Sequence, residues 1–82
     1  MSQHIETHEI RVFRAVYENR GFKRAADKLF VTQSAVSQTN ANLERKLDTT
    51  LLERYPQKLT VTGIRLLHYA DAVLGEEASG VA

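Results

Sequence analysis

Apolar positions along most of this chain return every three or four residues, the spacing of one face of a helix. Ile10, Phe13, Val16 and Tyr17 form the first such stripe, with Arg11, Arg14 and Glu18 on the other face. Thr7 or His8 starts this helix, Glu9 stands near its positive end, and Asn19-Arg20-Gly21 ends it, with Gly21 able to cap the next one. Phe22, Ala25, Ala26 and Leu29 then recur at i, i+3, i+4 and i+7. The small alanines of that stripe let a neighbouring helix approach closely, as a helix-turn-helix requires. After Phe30 and Val31, Thr32 is a good N-cap for a third helix over residues 33–47. Val36, Leu43 and Leu47 share its buried face, and Asn40 falls on that face where an apolar residue is expected.

Leu51 and Leu52 resume the core after a short Asp-Thr-Thr turn. Glu53 to Tyr55 and Lys58 to Val61, flanking Pro56-Gln57, predict a small two-stranded hairpin with a proline tolerated in an edge ribbon. Thr60 or Thr62 can cap a last helix running to about Glu77, and Ala78 to Ala82 has the small, flexible composition of a linker start. Ile64, Leu67, Ala70, Val73 and Leu74 form a stripe along that helix, widened by Leu66 and Tyr69 beyond what one small core covers. A surplus of that kind normally meets another helix, so the pattern predicts a helix-to-helix homodimer.

Composition sharpens the function more than the fold. With 82 residues the chain is one domain at most, near the lower limit for a self-sufficient core. There is no cysteine, hence no disulfide framework and no thiolate nucleophile or metal ligand. No apolar run approaches a membrane span and no signal-peptide core is present, so a cytoplasmic protein is the expectation. The net charge of +1 says little, but its distribution is uneven. Residues 20–58 carry eight basic side chains against four acidic ones, while the flanks are acidic. A basic centre suits a protein that presents its middle to phosphates.

The third helix carries no charged residue before Glu44. Its Gln, Ser, Thr and Asn side chains both donate and accept hydrogen bonds, matching the mixed edges that bases show in the major groove. The bland reading of the same stretch is a solvated Gln- and Ser-rich helix. Catalysis finds no support: His4, His8 and His68 are scattered, carboxylates are not paired, and no glycine-rich phosphate loop exists. His4 and His8 could share a helix face, but without a third ligand they do not make a metal site, and no cofactor is implied. The competing reading is a protein-interaction module that keeps this shape without touching DNA.

Five blocks together carry a family likeness. They are Phe13-x-Ala15-Val16, Gly21-Phe22-x-x-Ala25-Ala26-x-x-Leu29, Thr32-Gln33-Ser34-Ala35-Val36-Ser37, Leu43-Glu44-x-x-Leu47 with Leu51-Leu52-Glu53-Arg54, and Leu59-Thr60-x-x-Gly63. In this order and spacing, over about residues 9–74, the chain resembles the N-terminal domain of LysR-type transcriptional regulators. The resemblance implies a mainly α fold: a winged helix-turn-helix of three helices plus a two-stranded wing, followed by a long linker helix. It implies a DNA-binding domain over residues 1–61 and a dimerisation helix with the start of a linker over 62–82. It implies double-stranded DNA as partner, with base contacts from Gln33, Ser34, Ser37 and Gln38. Backbone contacts would come from Thr32, Arg54, Lys58, Lys23 and Arg24. The homodimer would form through Ile64, Leu67, Ala70, Val73 and Leu74. A small-molecule effector enters only if a C-terminal effector domain, which complete members carry, follows these residues. Residues 20–38 with Leu51-Leu52 look closest to the branch controlling basic amino-acid export. Gly21, Asn40, Asp48 and Leu52 depart from the family's customary Ser, apolar residue, Gly and Phe.

Overall fold

The structure, a computed structural model, describes residues 4–54 and 57–79, apart from the side chains of Arg54, Gln57 and residues 75–79. The order of elements is α1 (Thr7–Asn19), α2 (Phe22–Leu29), α3 (Gln33–Leu47), β1 (Leu52–Arg54), β2 (Gln57–Leu59) and α4 (Val61–Ser79). The chain divides after Thr49 into two compact units: the first holds the three short helices, the second the hairpin and α4. All four predicted helices are present.

In the first unit α1, α2 and α3 pack on one another around Phe13, Val16, Val36 and Leu43, which are fully buried, with Ile10, Phe22, Ala25 and Ala26 beside them. Each of the larger side chains contributes about 1.5–3 kcal/mol by leaving water. The alanines of α2 reach 0 % and 3 % exposure, which is what close helix approach demands of them. Each helix ends on a residue in the left-handed region: Arg20 (φ 58°), Phe30 (φ 60°) and Asp48 (φ 55°). The chain turns there through paired backbone bonds, as in Arg20 N–H to the Tyr17 carbonyl and Gly21 N–H to the Val16 carbonyl. Arg20, rather than the glycine after it, takes the strained conformation, and Gly21 caps α2.

Two side chains of α1 depart from the simple amphipathic pattern. Arg14, expected on the solvated face, is buried, with its Nε 3.9 Å from a Glu18 carboxylate oxygen. Its long aliphatic stem makes that position compatible with an apolar surrounding. Tyr17, expected in the core stripe, is exposed. Glu9, at 4 % exposure, is inside as well. Its carboxylate accepts from Lys46 Nζ at 2.8 and 3.0 Å and from the Glu6 N–H at 2.9 Å, while Lys46 also donates to the His4 carbonyl at 2.7 Å. Burial pushes this carboxyl up, but the Lys46 and Glu6 hydrogen bonds and the charges of Lys46 and His8 outweigh it and hold it below the ordinary range. The pair fastens the start of α1 to the last turn of α3.

In the second unit β1 and β2 pair antiparallel with Leu52 opposite Leu59, Glu53 opposite Lys58 and Arg54 opposite Gln57. The register places Gln57 at the start of β2 rather than in the loop, and Val61 opens α4 rather than ending the strand. Tyr55 and Pro56, expected at the strand end and in the loop, lie outside the described residues. Thr60 caps α4: its hydroxyl accepts from the Gly63 N–H at 3.0 Å and donates to the Thr50 carbonyl at 2.6 Å. Thr60 N–H also reaches the Leu51 carbonyl at 3.0 Å. A Cβ on Gly63 would fall on that same Leu51 carbonyl oxygen, so the Leu59-Thr60-x-x-Gly63 block is a packing requirement. No helix among the described residues is long and apolar enough to cross a membrane.

Candidate nucleic-acid interface

The first turn of α3 is built by Thr32. Its backbone is extended (φ −79°, ψ 157°), and its Oγ1 accepts from the Ala35 N–H at 3.0 Å, as the sequence predicts for a cap. In that bond the hydroxyl is an acceptor only, which leaves its proton for donation to a further acceptor. Gln33, Ser34 and Gln38 are exposed and Ser37 is half-buried, so all four expected base readers lie along the first six residues of one helix. They reach water because Val36, Asn40 and Leu43 take the opposite, buried side.

Beyond the first turn the exposed stripe continues through polar pairing. Asn42 Oδ1 accepts from Gln38 Nε2 at 3.1 Å and from Arg45 Nη2 at 2.9 Å. This aligns Gln38, Asn42 and Arg45 along α3 and gives its surface a cation. That cation lies in the last turn of α3, beyond the uncharged stretch before Glu44. The signal was available in the i+3 and i+4 spacing of the three residues. Asn40, by contrast, is 4 % exposed and its Oδ1 has no hydrogen-bond partner.

Of the expected phosphate-binding residues, Lys23 and Arg24 project from the first turn of α2 and are exposed. Lys23 Nζ lies 3.8 Å from Asp27, with both side chains more than 70 % exposed, a pairing too weak to withdraw it from other anions. Thr32 and these two cations belong to the first unit. Lys58 is exposed on β2, opposite Glu53, in the second unit. Arg54 belongs to β1 by its backbone, and its side chain lies outside the described residues.

On α4 the expected dimer residues differ in surroundings. Ala70 and Leu74 are buried in the single chain, Leu67 is half-buried, and Ile64 and Val73 are exposed together with Tyr69. Only Ile64, Leu67 and Val73 of the five therefore keep surface for a second helix. Among the described residues no group of three His, Cys, Asp or Glu side chains could hold a metal ion. His4 precedes α1, so it does not share a helix face with His8.

Against known proteins, residues 7–73 match the family model described as bacterial regulatory helix-turn-helix protein, lysR family. The chain is 43% identical over 68 residues to a probable RuBisCO transcriptional regulator of Trichormus variabilis, covering 80% of this chain and 20% of that protein. It is 41% identical over 70 residues to the HTH-type transcriptional regulator CfxR of Cupriavidus necator, covering 83% and 22%. It thus spans about a fifth of the length of these curated relatives. Among solved structures, the complex of the BenM DBD with catB site 1 DNA superposes with a TM-score of 0.83 at 38% identity, over 94% of this chain and 85% of that one. The fold is therefore a winged helix-turn-helix of the kind seen in that complex, and the relatives are transcriptional regulators, not enzymes. The chain belongs to the LysR family of bacterial regulatory helix-turn-helix proteins.

Proposed function

We propose that this DNA-binding domain reads double-stranded DNA sequence-specifically with α3, residues 33–47, in the major groove, as a dimer on a dyad operator. The observation that carries the reading is the exposed first turn of α3, capped by Thr32, on a fold shared with a regulator domain solved on its DNA. Gln33 is the principal base reader, since a glutamine amide pairs bidentately with adenine N6 and N7. Ser34, Ser37 and Gln38 assist it. Thr32, Lys23, Arg24 and Lys58 hold phosphates, and Arg54 in the wing holds phosphate or the narrow groove beside it. Ile64, Leu67 and Val73 supply the dimer seam, with Tyr69 at its edge. Ala70 and Leu74 support that seam from inside the chain.

The test separates reading from holding. An operator is first selected from random duplex. Gln33→Ala should then cost about 1–3 kcal/mol on that operator and almost nothing on scrambled duplex. Arg54→Ala should weaken both alike and make the slope of log K against log salt shallower by about one. Equal losses on both duplexes for Gln33→Ala, with an operator-only loss for Arg54→Ala, would reverse the two roles. No change from either variant would remove this face from the DNA.

A further inference from the structure

Phe30 is 93% exposed, more than any other large apolar side chain among the described residues, and it sits in the left-handed region at φ 60°. Both facts count against a role in the isolated fold. A bulky side chain in that backbone region is disfavoured where glycine or asparagine is at ease, and this ring gains nothing from burial. Yet the ring is not on a loose tail. Phe30 N–H bonds the Asp27 carbonyl at 3.3 Å and Val31 N–H the Ala26 carbonyl at 3.0 Å, which fixes the turn. Val31 beside it is 47% exposed, and Lys28, Thr32, Gln33 and Ser34 around it are exposed and polar. The result is a preorganised apolar point two residues before the Thr32 cap of α3.

We propose that Phe30 is a specificity-determining residue that packs on thymine methyl groups beside the bases read by α3. The inference rests on the reading of α3 as the helix in the groove. DNA is the occupant because the same turn delivers the Thr32 hydroxyl and the Gln33 amide. The Cα atoms of residues 30 and 33 are at most about 11 Å apart, roughly three base-pair steps at ~3.4 Å each. The methyl of thymine is the apolar feature of the major-groove edge, and phenylalanine is among the side chains that match it.

The experiment uses Phe30→Gly and the operator selected from random duplex, prepared also with deoxyuridine for thymidine within about four steps of the position read by Gln33. Deoxyuridine pairs as thymidine does but lacks the methyl. Phe30→Gly removes the ring and relieves the left-handed backbone. Its Tm should rise by about 4–8 °C, while operator affinity falls about tenfold. The parent should lose about fourfold for each contacted methyl removed, and Phe30→Gly should lose nothing further on the uridine operator. Full operator affinity in Phe30→Gly, or equal uridine losses in both proteins, overturns the proposal. An unchanged operator affinity with a shift in self-association would assign the ring to a second copy of the chain instead. A parent that holds no duplex at all overturns the reading of α3, and this inference with it. Duplex binding indifferent to Phe30 overturns this inference alone.

Discussion

Asn40 offers the sharpest prediction about stability. Its side chain sits on the core face of α3 between Val36 and Leu43, 4 % exposed, and its Oδ1 accepts no hydrogen bond. A buried carbonyl without a donor costs about 1–3 kcal/mol relative to the same group in water. Leucine branches at the same carbon as asparagine, so Asn40→Leu puts two methyls where the amide oxygen and nitrogen lie. Each group of that size gains about 0.8 kcal/mol when buried, and misfit in a swap of similar shape takes back less than about 1.5 kcal/mol. Leucine is also the better helix former by several tenths of a kcal/mol. The balance is a gain of about 2 kcal/mol, or a Tm raised by about 8 °C or more in a domain of this size. Asn40→Ile should gain less, about 1 kcal/mol, since a β-branched side chain is stiffer in a helix. Thermal melting followed by circular dichroism, with a urea titration to show an unchanged m-value, measures both. Affinity for duplex DNA should not move, because this side chain points away from the exposed stripe. A Tm at or below that of the parent for Asn40→Leu refutes the reasoning, because it means that the amide makes a needed bond.

Three further predictions follow from particular contacts. The Glu9 carboxyl is held below the ordinary glutamate value of about 4.3, so its pairing with Lys46 stabilises the fold above that pH and is lost as pH falls below it. Glu9→Gln should cost about 1–3 kcal/mol at pH 7, as Lys46 loses its buried charged acceptor, and urea midpoints of parent and variant should converge as pH falls below the ordinary glutamate value. A gap that persists in acid contradicts this. Gly63→Ala, which in most helices would stabilise by up to about 1 kcal/mol, should here lower stability by about 1–3 kcal/mol, because the new Cβ meets the Leu51 carbonyl oxygen. A raised Tm would refute it. For the dimer, Val73→Glu and Ile64→Glu alter side chains that are exposed in the single chain, so the fold should survive while a carboxylate enters the seam. Sedimentation at micromolar concentration should show a dimeric parent and monomeric variants, and a monomeric parent or indifferent variants would dismiss the seam.

Much of this architecture is legible in the sequence because its helices are short and sharply patterned. The stripe of Phe22, Ala25, Ala26 and Leu29, the Thr32 cap and the misplaced Asn40 all rest on local rules of spacing and hydrogen bonding, and the structure agrees with each. What escaped was non-local or ambiguous in type. Glu9 and Lys46 stand 37 positions apart, so no periodicity links them, and only the packing of α1 on α3 makes them a buried pair. Arg14 reads as polar, although its stem is long enough to line a core. The two hairpin strands each start one residue earlier than expected, at Leu52 and Gln57. The sequence assigns Phe30 to no stripe, and only the structure shows its left-handed backbone and its exposure. The block that ends on Gly63 was recognisable as a likeness, but its cause, a carbonyl oxygen where a Cβ would be, belongs to the structure.

If duplex DNA is the partner, it meets the exposed basic, Gln and Ser side chains of this chain. A salt titration of the parent chain on random duplex tests that claim most directly, before any operator is known. Counterion release lowers log K by about 0.9 per phosphate neutralised for each unit of log salt. Lys23, Arg24, Lys28, Arg45 and Lys58 are all exposed. If most of them meet phosphate, the slope per chain should be steeper than about −3. A steep linear fall is the predicted result. Weak binding whose affinity does not change with salt would contradict the account and favour a winged-helix module that meets proteins instead.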